Sequence, residues 1–205
     1  KTRFRAASQQ ILRVDEEVVT QVNTDVQEKF FTSSLAFMET ADLFIFSDYA
    51  KGALTPELVR KLIMIAKKKK KIVVVDPKAK QFSCYSGADI LTPNLEELNE
   101  VAGQQIYKIS EISNFALSLS KKNNIGGILT TLSSRGMLLS QVGGENFHLN
   151  ANTREVFDVS GAGDTVVASV GGALSTGARI EDSVFLANYA AGVVVGKSGT
   201  ATAVA

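Results

Sequence analysis

The segment Asp158-Val159-Ser160-Gly161-Ala162-Gly163-Asp164-Thr165 sets small residues directly before a carboxylate, and an apolar run over 166–174 follows at once. A helix that opens there leaves its first N–H groups without intrahelical acceptors, and the positive end of its dipole attracts phosphate. Glycine lets such a ligand approach the backbone with no Cβ in the way. A carboxylate beside that surface would repel its own ligand, so Asp164 needs a reason, and the expected reason is chemistry.

A second constellation, Thr92-Pro93-Asn94-Leu95-Glu96-Glu97, comes directly after a strand. An amide at 94 and a carboxylate at 97 stand three apart at a helix start and can face one site, where oxygen ligands suit Mg²⁺ held largely through waters. The same spacing fits a capping arrangement, Asn94 as N-cap and Glu97 as its partner, and taken alone capping is the better reading. A third stretch, Thr130-Thr131-Leu132-Ser133-Ser134-Arg135-Gly136, brings hydroxyls and a glycine after another strand. Ligands of open α/β sheets bind beyond the carboxyl ends of strands. All three segments are expected at such ends, and that convergence raises each above its local explanation.

The elements that must position them alternate. Short strands at 2–6 and 9–15 precede a helix over 24–40, and a buried strand over 42–47 ends in the loop Asp48-Tyr49-Ala50-Lys51-Gly52. Thr55 and Pro56 read as N-cap and first residue of a helix reaching 70. The β-branched run 72–75 marks a strand covered on both faces. A strand at 89–91, helices at 95–102 and 109–122 and a strand at 127–131 follow, then a hairpin of 137–142 and 145–149 turning on Gly143-Gly144. Helices over 163–176 and 180–197 complete the order, which predicts an α/β fold, one parallel sheet with helices on both faces, in a single domain over 1–205.

Several conspicuous features are expected to be structural. The lysines 67–71 sit at a helix C-terminus, where cations complement the dipole, and read as a solvated surface. Gly171-Gly172 inside a helix points to close packing. His148 lies in an alternating segment without a partner motif, and Cys84 has no basic cluster to make a reactive thiolate. With 205 residues, 45% hydrophobic and 21% charged, the chain can bury a core, and its net charge of +1 gives no case for nucleic acid or an anionic membrane as partner. The one cysteine permits no intramolecular disulfide, and no apolar run approaches the roughly 20 residues of a membrane span. A reducing, cytoplasmic setting is expected.

Together the three stretches resemble the ribokinase-like (pfkB) family of carbohydrate kinases. The family's Gly-Ala-Gly-Asp loop is matched by Gly161 to Asp164, and its Asn-x-x-Glu motif by Asn94 and Glu97. The resemblance implies a ribokinase-like three-layer α/β/α fold that uses ATP and Mg²⁺. It implies Asp164 as catalytic base, with Gly161, Ala162 and Gly163 as the anion hole for the transferring phosphoryl group. Asn94 and Glu97 would organise Mg²⁺–ATP with Glu96 beside them, while Thr131, Ser133, Gly136 and Asn188 would border the nucleotide.

Ser47-Asp48-Tyr49-Ala50-Lys51-Gly52, Val75-Asp76-Pro77-Lys78, Leu91-Thr92-Pro93-Asn94-Leu95 and Ala191-Gly192-Val193-Val194-Val195-Gly196-Lys197 are similar to one subgroup, the D-glycero-β-D-manno-heptose-7-phosphate kinases. Arg3-Phe4-Arg5 and 9–15 are similar to that subgroup's lid. The likeness implies ATP-dependent phosphorylation of the anomeric 1-hydroxyl of heptose 7-phosphate, toward ADP-heptose and the lipopolysaccharide core. Asp48, Lys51, Gly52 and Arg5 would then address the sugar phosphate, and Lys78 is either near phosphate or a plain surface lysine. A family member opens with a sugar-binding strand and a glycine-rich segment ahead of the region matching Lys1. The chain is therefore expected to be N-terminally truncated, keeping the nucleotide side, and to form a homodimer through exposed sheet surface. Another ribokinase-like sugar or nucleoside kinase, and a nucleotide-binding fragment without turnover, are the other readings.

Overall fold

Side-chain alternation along the strands decides which helix covers which face. The computed structural model describes residues 2–6, 9–78, 81–152, 156–199 and 201–203. Strands β1 (Thr2–Ala6) and β2 (Gln9–Val14) form an antiparallel sheet of their own. Helix α1 (Thr24–Met38) leads to β3 (Leu43–Ser47), α2 (Pro56–Lys68), β4 (Ile72–Asp76), β5 (Ile90–Leu91), α3 (Leu95–Ala102), α4 (Ile109–Asn123), β6 (Gly127–Thr131), β7 (Met137–Gln141) and β8 (Phe147–Leu149), with α5 (Ala162–Ser175) and α6 (Ile180–Val195) last. The second sheet has the order β3-β4-β5-β6-β7-β8, parallel from β3 to β6 and antiparallel beyond.

In β4, Val73 and Val75 join one apolar cluster while Val74 joins the other. The same division separates Leu91 from Ile90 and Ile128 from Leu129. Met38 of α1, most of the buried face of α2, Leu98 of α3 and Ile112 of α4 fill the first cluster. Val166 and Val170 of α5 and Val184 and Ala187 of α6 fill the second. The result is three layers with helices on both faces, the architecture expected from the strand–helix alternation. The parallel strands all end at one edge, so the loops after β3, β4, β5 and β6 share it. Among the described residues no helix is long and apolar enough to cross a membrane.

Three expectations need correction. The run 42–47 reads as a buried strand, yet Ile45 is 43% exposed, because β3 is an edge strand of the six. The hairpin does not turn on Gly143-Gly144 alone. Residues 142–146 form its loop, closed by Asn146 Oδ1 accepting from the Gln141 N–H at 2.8 Å and by the Gln141 side-chain amide donating to the Glu145 carbonyl at 2.9 Å. The lysine run is not simply solvated. Lys67 Nζ lies 2.7 Å from both Asp89 oxygens, and Lys69 Nζ 2.6 Å from Glu39. Asp89 also accepts from the Val73 N–H at 2.8 Å, which ties the end of α2 to the start of β4.

The helix starts follow their sequence signals. Thr55 caps α2 by accepting from the Leu58 N–H, with Pro56 in the first turn, and Asn23 caps α1 by accepting from Val26. Gly171 and Gly172 divide in role. A Cβ on Gly171 would stand 2.8 Å from Ile45 Cδ1 and 3.2 Å from Leu43 Cδ2, whereas one on Gly172 meets nothing within 4 Å. Gly171 thus lets α5 lie close against β3, and Gly172 only costs helix propensity. Gly172→Ala is expected to stabilise the fold by about 1 kcal/mol. Gly171→Ala should fall below it by about 1–2 kcal/mol, because Ile45 and Leu43 must shift. Urea midpoints of the two variants check this, and equal gains would refute the packing role.

Candidate active site at the carboxyl ends of the parallel strands

Asp48 follows β3 directly and is buried. Its N–H extends the ladder to the Asp76 carbonyl at 3.0 Å, Oδ1 accepts from the Ala50 N–H at 2.8 Å, and Oδ2 accepts from the Tyr85 hydroxyl at 2.6 Å. The carboxylate therefore shapes its own loop, which accounts for it without a ligand. Lys51 Nζ pairs with Glu17 at 2.6 Å and stands 5.7 Å from the Tyr49 ring centroid. Gly52, at φ +92°, passes so close to Thr20 that a Cβ would lie 2.1 Å from the Thr20 carbonyl oxygen. These contacts fasten the segment leaving β2 across the loop. The Arg5 side chain lies outside the described residues.

Both readings of the Asn94–Glu97 pair are compatible in space. Asn94 Oδ1 accepts from the Glu97 N–H and Glu97 Oε2 accepts from the Asn94 N–H, each at 2.9 Å, a complete capping box. Capping uses one oxygen of the carboxylate, and the other, Oε1, takes the ammonium of Lys78. Asn94 forms a parallel bridge to Thr131, whose N–H donates to the Pro93 carbonyl at 3.0 Å. That bridge sets the start of α3 beside the β6–β7 connection. Glu96 points outward, exposed in the first turn of α3.

In that connection Ser133 has φ +56°, and Gly136 at φ +86° presses on the exit of β8. A Cβ there would stand 1.9 Å from the Leu149 carbonyl oxygen, so only glycine fits. Asn188 of α6 donates to the Asn150 carbonyl at 2.9 Å and so meets the same segment. His148 keeps the structural role expected of it, with Nε2 at 2.6 Å from the Arg135 carbonyl oxygen.

Helix α5 begins at Ala162 with Gly161 as N-cap at φ 85°, and no side chain caps it. Asp158 Oδ1 accepts from the Ser160 N–H at 2.9 Å, and the Phe157 and Asp158 N–H groups donate to the Val195 carbonyl, which fixes the loop on the end of α6. The Ala162 N–H is directed at the Val159 carbonyl at 3.2 Å. Gly163 and Asp164 remain as first-turn donors without intrahelical acceptors, and a Cβ on Gly163 would face open space. The Gly163 side of the turn thus presents open backbone N–H groups. Asp164 is exposed, with Oδ1 3.4 Å from the Tyr49 hydroxyl.

Asp76, at the end of β4, is the site residue that motif spacing passed over. Burial first, then the charges of Glu97 and Asp164, and last Asp48 push its carboxyl up to about 7, with Lys78 pulling the other way. Carboxylates of α3, α5 and the loop after β3 thus act on Asp76 at the end of β4. The sequence signal was the β-branched run ending in Asp76-Pro77, a charge at the end of a fully covered strand. Among the described residues no three ligating side chains stand close enough to hold a metal ion alone. Such a converging negative field with few direct ligands fits Mg²⁺, which keeps waters and substrate phosphates in its shell, and Asn94 and Glu97 are the residues that would hold it.

A folded-state value raised above the ordinary aspartate range favours the fold while Asp76 is protonated. That contribution is complete below about pH 4 and is lost as pH rises through about 7. Asp76→Asn is expected to stabilise the protein at pH 8 by about 1–2 kcal/mol more than at pH 4, allowing for solvent screening. Urea melts of both proteins at the two pH values check this, and parallel pH slopes would refute it.

The pfkB family carbohydrate kinase model matches residues 9–205. The "Bifunctional protein HldE" of Paramagnetospirillum magneticum (strain ATCC 700264 / AMB-1) is 42% identical over 203 residues, 99% of this chain and 42% of that protein. The protein of the same name from Geobacter sulfurreducens is 40% identical over 98% of this chain and 41% of its own length. The chain thus spans about two fifths of the curated relatives it matches. Escherichia coli phosphofructokinase-2 in complex with potassium superimposes with a TM-score of 0.79 at 17% identity, covering 89% of this chain and 59% of that one. Arabidopsis thaliana ribokinase complexed with ribose and ATP gives 0.71 at 22% identity, over 88% and 55%. A ribokinase-like fold, a glycine-flanked Asp164 at the start of α5 and a family match over nearly the whole sequence lead to one conclusion: the chain belongs to the pfkB family of carbohydrate kinases.

Proposed function

We propose that the chain acts as an ATP-dependent kinase on the anomeric 1-hydroxyl of D-glycero-β-D-manno-heptose 7-phosphate. The observation that carries the proposal is the meeting of Asp164 with the Asp48-Tyr49 loop through the Tyr49 hydroxyl at 3.4 Å. A proton acceptor at the start of α5 thereby faces the loop that the heptose-kinase likeness assigns to the sugar. In the reaction the sugar oxygen forms a bond to the γ-phosphorus of ATP and the bond from that phosphorus to the bridging oxygen breaks. ADP departs with the electron pair, and the hydroxyl proton passes to Asp164. Donors on the Gly163 side of the first turn meet the charge on the transferring group in a fixed direction. Mg²⁺, when bound, would neutralise phosphate charge, and Asn94 and Glu97 are the residues that would hold it.

Turnover is tested by ADP release with heptose 7-phosphate, compared with other sugars and nucleosides as acceptors. Stimulation by a different acceptor would replace the substrate assignment, and ATP binding without transfer to any acceptor would select a non-catalytic role. Asp164→Asn is expected to lower turnover by about 10³-fold with ATP affinity nearly unchanged. Near-normal turnover in that variant would remove Asp164 as base.

We also read the β1–β2 sheet as the surface on which two copies meet. Phe4 lies opposite Leu12 and Thr2 opposite Val14, and Phe4, Leu12 and Val14 are 51%, 53% and 47% exposed. A two-stranded sheet with an open apolar face is marginal in water and gains from being covered. Sedimentation is expected to give a dimer that Phe4→Ser with Leu12→Ser converts to monomer, and a mass indifferent to those changes would refute this surface.

A further inference from the structure

Lys78 stands two residues beyond β4, behind Pro77. Its backbone N–H donates to the buried Tyr85 hydroxyl at 3.3 Å, which fixes where the side chain begins. Its ammonium pairs with Glu97 Oε1. Because Glu97 Oε2 is committed to the Asn94 N–H, Lys78 sits on the one oxygen of Glu97 that capping leaves over.

The two partners differ in freedom. Glu97 is 15% exposed and locked by the capping box at both its carboxylate and its N–H, while the Lys78 side chain is 50% exposed on a flexible stem. The ammonium can leave while the carboxylate stays. The hydrogen bond that its ammonium donates to Glu97 raises the Lys78 pKa above the ordinary lysine value, against the opposing effect of burial, so the group is charged throughout the physiological range. Lys78 also acts on Asp76 against the carboxylates of Glu97, Asp164 and Asp48. A polyphosphate entering this field adds negative charge, and one ammonium cannot neutralise both it and the carboxylates.

We infer that Lys78 is an exchangeable counter-ion of the nucleotide site: without metal its ammonium neutralises Glu97, and once that oxygen is given over to Mg²⁺ the ammonium turns to the phosphate chain of the nucleotide. The inference rests on the Mg²⁺–ATP site proposed above. It makes Lys78 a residue that alternates between two anions rather than a strut between β4 and α3.

The test is a pair of binding measurements on the intact chain. Mn²⁺ is titrated without nucleotide, read by electron paramagnetic resonance, and ATP is titrated without metal, read by calorimetry. Lys78→Met is expected to bind Mn²⁺ roughly five- to tenfold more tightly, having lost the internal competitor, and metal-free ATP roughly five- to tenfold more weakly. Lys78→Arg should keep metal-free ATP affinity close to wild type. If Lys78→Met fails to fold by circular dichroism, Lys78→Gln replaces it with the same two expectations. Changes of the same sign in both titrations, or none in either, overturn the exchange and leave the kinase reading intact. A wild-type chain that binds no ATP at any Mg²⁺ concentration overturns the kinase reading itself.

Discussion

The site depends on the burial of one carboxylate, Asp76, at an edge where parallel strands bring others beside it. Parallel neighbours end on the same side, so a charged residue at each end must face its counterparts there. Asp48 follows β3, Asp76 ends β4 and Glu97 stands in the first turn of α3, after β5. Asp164 is added from α5, which packs on the opposite face of the sheet from α2 and α3. A fold relieves such a cluster by protonating a member, pairing it with a cation, or occupying its oxygens with donors. All three occur: Asp76 is held neutral up to about 7, Glu97 takes Lys78, and Asp48 takes Tyr85 and Ala50.

Tyr85 joins these solutions into one network. Its hydroxyl donates to Asp48 at 2.6 Å and accepts from the Lys78 N–H at 3.3 Å, and its ring is fully buried beside Phe82. The chain of contacts continues from Lys78 to Glu97 and through the capping box to Asn94 and Thr131. The exits of β3 and β4 are thereby joined by hydrogen bonds that meet on one rigid side chain. Such a network specifies geometry more than it adds stability, since each polar group only replaces the water it lost.

The sequence made the frame legible because the frame is periodic. Val73 and Val75 against Val74 are assigned to faces by alternation alone, and Thr55-Pro56 and Asn94–Glu97 announce helix starts by local hydrogen bonding. What escaped depends on distant partners. Asp76 carries no motif spacing, and its importance comes from Glu97, Asp164 and Asp48, which are remote in sequence. Lys67 and Lys69 looked like a charge run until Asp89 and Glu39 came beside them. Edge and centre were equally hidden: β3 and β4 are both apolar runs, and only the strand order tells that Ile45 stays half open while Val74 is sealed.

Capping and ligand chemistry are often treated as competing explanations of an Asn-x-x-Glu pair, and here the capping geometry is compatible with the proposed ligand role. The capping box takes Asn94 Oδ1 and Glu97 Oε2, and in doing so fixes both side chains at the start of a helix whose dipole favours negative charge. A carboxylate held by its own backbone has little rotamer freedom left to lose when its second oxygen takes a cation, so the entropic cost of ordering it is met during folding rather than on binding. The same logic applies to Asp164, where the loop is fixed to α6 through the Val195 carbonyl before any ligand arrives. Local helix-start hydrogen bonds that look sufficient in themselves are what hold the remaining atoms in place for chemistry.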